Sequence, residues 1–211
     1  MNSTVGQAFL NIAFGLYLIL YLPQIHHNMR HKPFARMSLA MHLMLCLAYS
    51  CDLFYGIGRQ MPWQYITVSF VGLCCLMIQH LQWCAYRYHE TPQKGIKLFL
   101  QGAILMLIPL CVYLNFPESK WQMQLQAWIA RCCFLLHFLP QIIQYQHQKF
   151  RRDAINIHYL GLSLCLSICD LVTAYCLHWD TANLLGSLIS LCLKLILSAQ
   201  MIRQTFWTLQ D

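Results

Sequence analysis

The chain has 211 residues, 58% of them hydrophobic and only 10% charged, with a formal net charge of +7. Soluble domains carry about 25% charged residues, so this balance excludes an ordinary soluble globular protein and indicates a membrane protein. The positive excess falls in short segments between apolar runs, so it reads as membrane topology, and no nucleic-acid partner is needed to account for it.

Seven apolar stretches are predicted as spanning helices, at about 5–28, 37–58, 64–85, 96–115, 125–146, 155–177 and 183–206, each near the ~20 residues that cross a hydrocarbon core. The first has no basic residue before Val5 and no small-residue cleavage site after it, so it reads as a span and not a leader. It ends in "YLPQIHHNMR". Proline lacks an N–H and clashes with the carbonyl four residues earlier, so Pro23 frees the Ile19 carbonyl and bends the last third of the helix. Gln24 supplies an amide that can bond freed backbone or a neighbouring helix. The second stretch carries Asp52 toward its far end. The fourth is the shortest, and Pro109 predicts a kink in it. The fifth repeats the earlier device in "FLPQIIQYQH": Pro140 frees the Leu136 carbonyl, Gln141 follows, and His137 stands three residues before the proline. Arg131 lies toward its opposite end, where its head group can reach the interface. The sixth carries Asp170 and the seventh Lys194. Spanning segments must satisfy their own backbone hydrogen bonds, so an all-α membrane protein of seven transmembrane helices follows.

Charge orients the chain. The loops after helices one, three and five hold Arg30, Lys32 and Arg36; Arg87 and Lys94; and Lys149, Arg151 and Arg152, against Arg59 and Lys120 in the alternate loops. The positive-inside rule puts the basic loops in the cytoplasm, the N-terminus outside or luminal, and the C-terminus in the cytoplasm. An endolysosomal membrane and a bacterial inner membrane both fit. The 12 cysteines fall mostly inside apolar stretches without a CxxC pair, so they read as small hydrophobes and not as a metal cluster, and no cofactor is expected.

The two halves repeat. Pro23, Gln24 and Ile25 overlie Pro140, Gln141 and Ile142; one residue further out of step, Cys51-Asp52-Leu53 overlies Cys169-Asp170-Leu171, and Ser69, Leu73 and Cys74 meet Ser187, Leu191 and Cys192. Residues 1–95 and 123–211 thus read as two three-helix repeats, joined by the fourth helix and its flanking loops at 96–122. One linking helix keeps both repeats in the same orientation, as parallel units in a 3+1+3 arrangement whose site lies between the halves near the membrane midplane.

Two Pro-Gln pairs at equivalent helix ends within this arrangement resemble the PQ-loop family, which includes cystinosin-like and cationic amino-acid exporters of lysosomes and the SWEET sugar carriers. The resemblance implies alternating-access transport of a small solute, without ATP and without a covalent step. Asp52 and Asp170 stand near the positions at which SWEET-like members carry cavity-lining tryptophans, which weighs against a plain sugar. Cystinosin-like members carry a proton-binding aspartate about two turns earlier, where this chain has Leu45 and Leu162. His137 stands where those members have a basic residue. Their Lys-Ser-Thr-Glu-Gly-like loop is replaced here by "RHKPFARMS" and "KFRRDAINI".

The expected hinge residues are Pro23, Gln24, Pro140 and Gln141. The expected substrate or proton groups are Asp52, Asp170, Lys194 and His137, because ionisable residues at membrane depth face a cavity or a partner. Lys194 has Leu76 as its repeat counterpart, and it either pairs with Asp170 or Asp52 or receives a substrate carboxylate. The leading expectation is a carrier of a small zwitterionic or cationic metabolite such as an amino acid, with protons as a candidate co-substrate. A SWEET-type sugar uniporter and a non-transporting receptor or scaffold are the alternatives. The only other partner expected is the lipid bilayer, and no oligomer is required. An enzyme is not expected, since the sequence shows no nucleophile–base pair, metal-ligand spacing or phosphate loop.

Overall fold

A computed structural model describes residues 2–31, 37–61, 63–116, 119–147, 155–178 and 181–207. Lys32, Arg36, Lys149, Arg151 and Arg152, which carry much of the charge asymmetry, lie outside the described residues. The described residues are helical apart from short turns. The helices are α1 (Asn2–Ile19), α2 (Leu22–His31), α3 (Leu39–Gly58), α4 (Trp63–Glu90), α5 (Pro92–Asn115), α6 (Lys120–Leu136), α7 (Leu139–His147), α8 (Ile157–Cys176) and α9 (Thr181–Trp207). Counting α1–α2 and α6–α7 as one span each, seven are long and apolar enough to cross a membrane.

Local chemistry sets the ends. Ser38 caps α3 by accepting the Met41 N–H at 3.3 Å, and Ser119 caps α6 by accepting the Gln122 N–H at 3.3 Å. Asn156 caps α8 by accepting from the N–H groups of His158 and Tyr159 at 2.8 and 3.3 Å. Thr91 alone separates α4 from α5, and Pro92 opens the new helix, where a missing N–H costs nothing. Pro109, where a kink is expected, lies inside α5, which is helical from Pro92 to Asn115.

The first and fifth spans are interrupted. α1 ends at Ile19 and α6 at Leu136, the residues whose carbonyls the two prolines free. Leu20–Tyr21 and His137–Phe138 form the turns. The Ile25 N–H reaches the Tyr21 C=O at 3.0 Å and the Ile142 N–H reaches the Phe138 C=O at 2.9 Å, so each turn is bonded to the helix that follows it. The proline therefore produces a two-residue interruption in each span and not a gradual bend. The correspondence between halves extends to unrelated residues: Gln60 and His178, just past the ends of α3 and α8, both have φ 52°.

The centre of the bundle is built from α1, α3, α6 and α8. α1 packs on α8 and α3 on α6, each contact joining one half to the other, while α4 and α5 flank α3 and α9 flanks α8. Outer faces are apolar, with Phe70, Met77 and Leu81 exposed on α4 and Phe99, Ile104 and Leu107 on α5. Polar groups lie inside, with Gln24, His42, His80, Gln141 and Lys194 all buried. Apolar surface outward and polar groups inward suit a bilayer and not water. All 12 cysteines carry free thiols.

Candidate functional site

The Pro-Gln end of the bundle is tied by two reciprocal hydrogen bonds. Gln24 accepts the backbone N–H of Asn156 at 2.8 Å, and Gln141 accepts the backbone N–H of Ser38 at 2.7 Å. Asn156 and Ser38 are the caps of α8 and α3, so each glutamine holds the start of a helix in the opposite half. These N–H groups precede the first turn and have no partner within the helix, so a side-chain acceptor from outside suits them. Gln24 is 2% exposed and Gln141 0%, so water does not compete for either bond. The Gln24 amide is steered further by donation to Asn28 Oδ1 at 2.8 Å.

Below this end an aromatic seam closes the interface between the halves. Tyr21, at the first break, meets Tyr49 edge-on at 5.8 Å and Tyr159 at 5.6 Å between ring centroids. Tyr49 also meets Phe134 edge-on at 4.8 Å. Gly72 makes room for Tyr49, since a Cβ there would lie 2.2 Å from its Cε1. Phe138, at the second break, is 1% exposed and is the repeat counterpart of Tyr21.

The two membrane aspartates occupy equivalent positions but have different surroundings. Asp52 accepts hydrogen bonds from Tyr65 and Ser69, both on α4 of its own half. Arg131 of α6 is within electrostatic reach of it. Asp170 instead accepts from Tyr17 of α1 in the other half, at 3.1 Å. Asp52 is thus consumed in joining two helices of one repeat, whereas Asp170 faces the junction between repeats.

Lys194 is 7% exposed on α9. Its ammonium donates to the Ser163 carbonyl at 3.0 Å and to Ser167 Oγ at 2.5 Å, and lies 5.8 Å from the centre of the Phe138 ring. It forms no direct ion pair with Asp170; each contacts other groups. His137 donates Nδ1–H to the Phe134 carbonyl at 2.7 Å and packs on Phe138 at 4.0 Å. Lys194 and His137 both lie beside the second break, and Asp170 stands further along α8. Asp52 does not join this group.

One buried polar pair has no counterpart among the residues singled out from sequence. His42 of α3 and His80 of α4 stack at 5.3 Å with a 5° interplanar angle, and His42 Nε2 lies 3.2 Å from His80 Nδ1. The Leu98 carbonyl of α5 can only accept, so His80 Nε2, 3.2 Å away, carries the proton and His80 Nδ1 accepts from His42. The chain of bonds fastens α5 to the first half. Gly102 permits it, since a Cβ there would lie 2.1 Å from His80 Nε2. The sequence signal was a histidine inside each of two apolar runs, which does not reveal that the two meet.

Residues 5–65 match the family described as the PQ loop repeat. The match contains the first Pro-Gln pair, α3 and Asp52; the second Pro-Gln pair lies outside it and corresponds to the first by the register of the halves. No curated protein matches the chain.

Proposed function

We propose that the chain is an alternating-access carrier of a small solute bearing a cationic group, an amino acid or a related zwitterionic metabolite, a reading supported by the PQ loop repeat matched at residues 5–65 and by seven helices long and apolar enough to cross a membrane. The observation that carries this reading is the pair of reciprocal glutamine bonds at the Pro-Gln end. Each joins opposite halves at a helix cap beside a helix break. Such a junction can open by releasing two hydrogen bonds and turning at two short interruptions, without disturbing the packing within either half. Carriers need two arrangements of similar free energy, and a few polar bonds on a hinged interface suit that requirement.

The midplane supports a cation-bearing solute. Asp170 lies at the junction, accepting from the Tyr17 hydroxyl and within electrostatic reach of Tyr49. A carboxylate beside aromatic faces attracts an ammonium group. The loop charges support an N-terminus outside or in a lumen and a cytoplasmic C-terminus, which makes the Pro-Gln end cytoplasmic, in an endolysosomal or bacterial inner membrane.

Purified protein in liposomes, offered labelled amino acids and sugars with and without a pH gradient, tests the reading. Saturable uptake of amino acids and not of sugars is expected. Uptake of sugars alone would make the chain a SWEET-type uniporter, and binding without uptake would make it a receptor.

A further inference from the structure

Ser163, Ser167 and Asp170 stand at positions i, i+4 and i+7 of α8, so they form one stripe along a single helix face. The Lys194 ammonium occupies the Ser163–Ser167 end of this stripe. Asp170 is the next group along it, three residues or about 4.5 Å of helix rise beyond Ser167. The lysine stem is flexible and carries its charge on a movable head. In the first half the corresponding positions are Leu45, Tyr49, Asp52 and Leu76, so the stripe and its lysine belong to the second half alone. Asp52 accordingly takes both its hydrogen-bond donors from α4.

The groups that face the two charges limit what can compensate them. Tyr17 of α1 and Tyr49 of α3 face Asp170, and Cys165 and Cys169 are on its own helix. His137, at the α6–α7 break, faces Lys194. Lys194 is the one cationic side chain the structure puts within electrostatic reach of Asp170 among the described residues.

We propose that Lys194 is an internal substitute for the solute. In the empty carrier its ammonium steps from Ser163 and Ser167 onto Asp170, and the cationic group of an arriving solute displaces it back to the serines. The Asp170 carboxylate then has a cationic partner in both the loaded and the empty carrier, so neither form crosses between its two arrangements with an uncompensated buried charge. The arrangement seen here, with Lys194 on Ser163 and Ser167, is the lysine position that the loaded carrier requires. This rests on the transport reading above and assigns Lys194 to the return of the empty carrier, not to solute binding.

Net movement and exchange separate these roles, because only net movement requires the empty carrier to return. In liposomes loaded with the labelled amino acid that the wild type carries, efflux into solute-free buffer is compared with efflux into buffer containing unlabelled solute. Lys194→Met is expected to lower net efflux at least tenfold and to leave exchange within twofold of wild type, and Lys194→Arg to restore part of the net rate. Ser167→Ala, which removes one anchor of the displaced ammonium, is expected to raise the solute concentration for half-maximal exchange several-fold. It also serves as the test if Lys194→Met does not fold. Loss of both modes in a folded Lys194→Met protein, loss of neither, or an unchanged half-maximal concentration in Ser167→Ala overturns the proposal. A wild type that moves solute in neither mode overturns the transport reading instead.

Discussion

Replacing Gln141 by leucine removes the acceptor of the Ser38 N–H but keeps the apolar stem and its helical preference. Ser38 is 7% exposed, and its N–H lies ahead of the first turn of α3, so no other acceptor replaces the lost one. Leaving a buried donor unpaired costs about 1–3 kcal/mol, which corresponds to roughly a 5- to 150-fold shift against the closed junction. Gln24→Leu strands the Asn156 N–H in the same way, but Asn156 is half-buried, so water recovers part of the loss and the shift belongs at the lower end. Hydrogen exchange followed by mass spectrometry reads this directly at the helix starts. Gln141→Leu is expected to speed exchange in the peptide containing Ser38, and Gln24→Leu in the peptide containing Asn156. The effect therefore appears in the half that was not mutated. Faster exchange confined to the mutated half, or unchanged exchange at both caps, would refute the reciprocal junction.

Pro23→Ala and Pro140→Ala restore an N–H at each interruption and remove the clash with the preceding carbonyl; slower transport by a protein that stays folded is expected, and unchanged kinetics in both variants would reduce the prolines to static kinks. Asp52→Asn disturbs the hydrogen bonds from Tyr65 and Ser69 and is expected to cost about 1–3 kcal/mol of stability while the half-saturating solute concentration stays unchanged. Asp170→Asn is expected to leave thermal unfolding nearly unaffected and to abolish transport, so the two substitutions separate the acids by opposite readouts; the reverse pattern would exchange their roles. Gly102→Ala forces the His80 ring to move and is expected to cost about 1–3 kcal/mol, whereas Gly161→Ala meets nothing within 4 Å and is expected to be neutral or stabilising. Thermal unfolding in detergent measures both, and equal shifts would remove the histidine contact from the account of α5 docking.

The spans and the places where two of them depart from a straight helix could be read from the sequence because both are local, although a bend is expected and an interruption is found. A run of about 20 apolar residues needs a bilayer whatever lies beside it, and a proline acts on a carbonyl four residues away. Hence α1 and α6 end at the two residues that the proline positions specify. The register between halves was also visible, since it needs only comparison of the chain with itself, and the turns at Gln60 and His178 follow it. Pro109 shows a limit of local reasoning: the same residue type that ends α1 and α6 lies inside α5 without ending it.

Partners across the bundle were decided by tertiary structure alone. Gln24 and Asn156 are 132 residues apart, Gln141 and Ser38 are 103 apart, and Tyr17 and Asp170 are 153 apart. No periodicity within one helix specifies which distant backbone N–H a glutamine reaches. Repeat symmetry presented Asp52 and Asp170 as equivalent, yet the hydroxyls around them make one an intra-repeat brace and leave the other at the junction. In sequence Lys194 appeared able to pair with either acid, and packing of α9 on α8 set its ammonium on Ser163 and Ser167 instead. Identity and membrane depth of an ionisable residue follow from sequence; its counter-group depends on helix rotation and on which small or polar residues the neighbouring span presents, and only the packed bundle determines those.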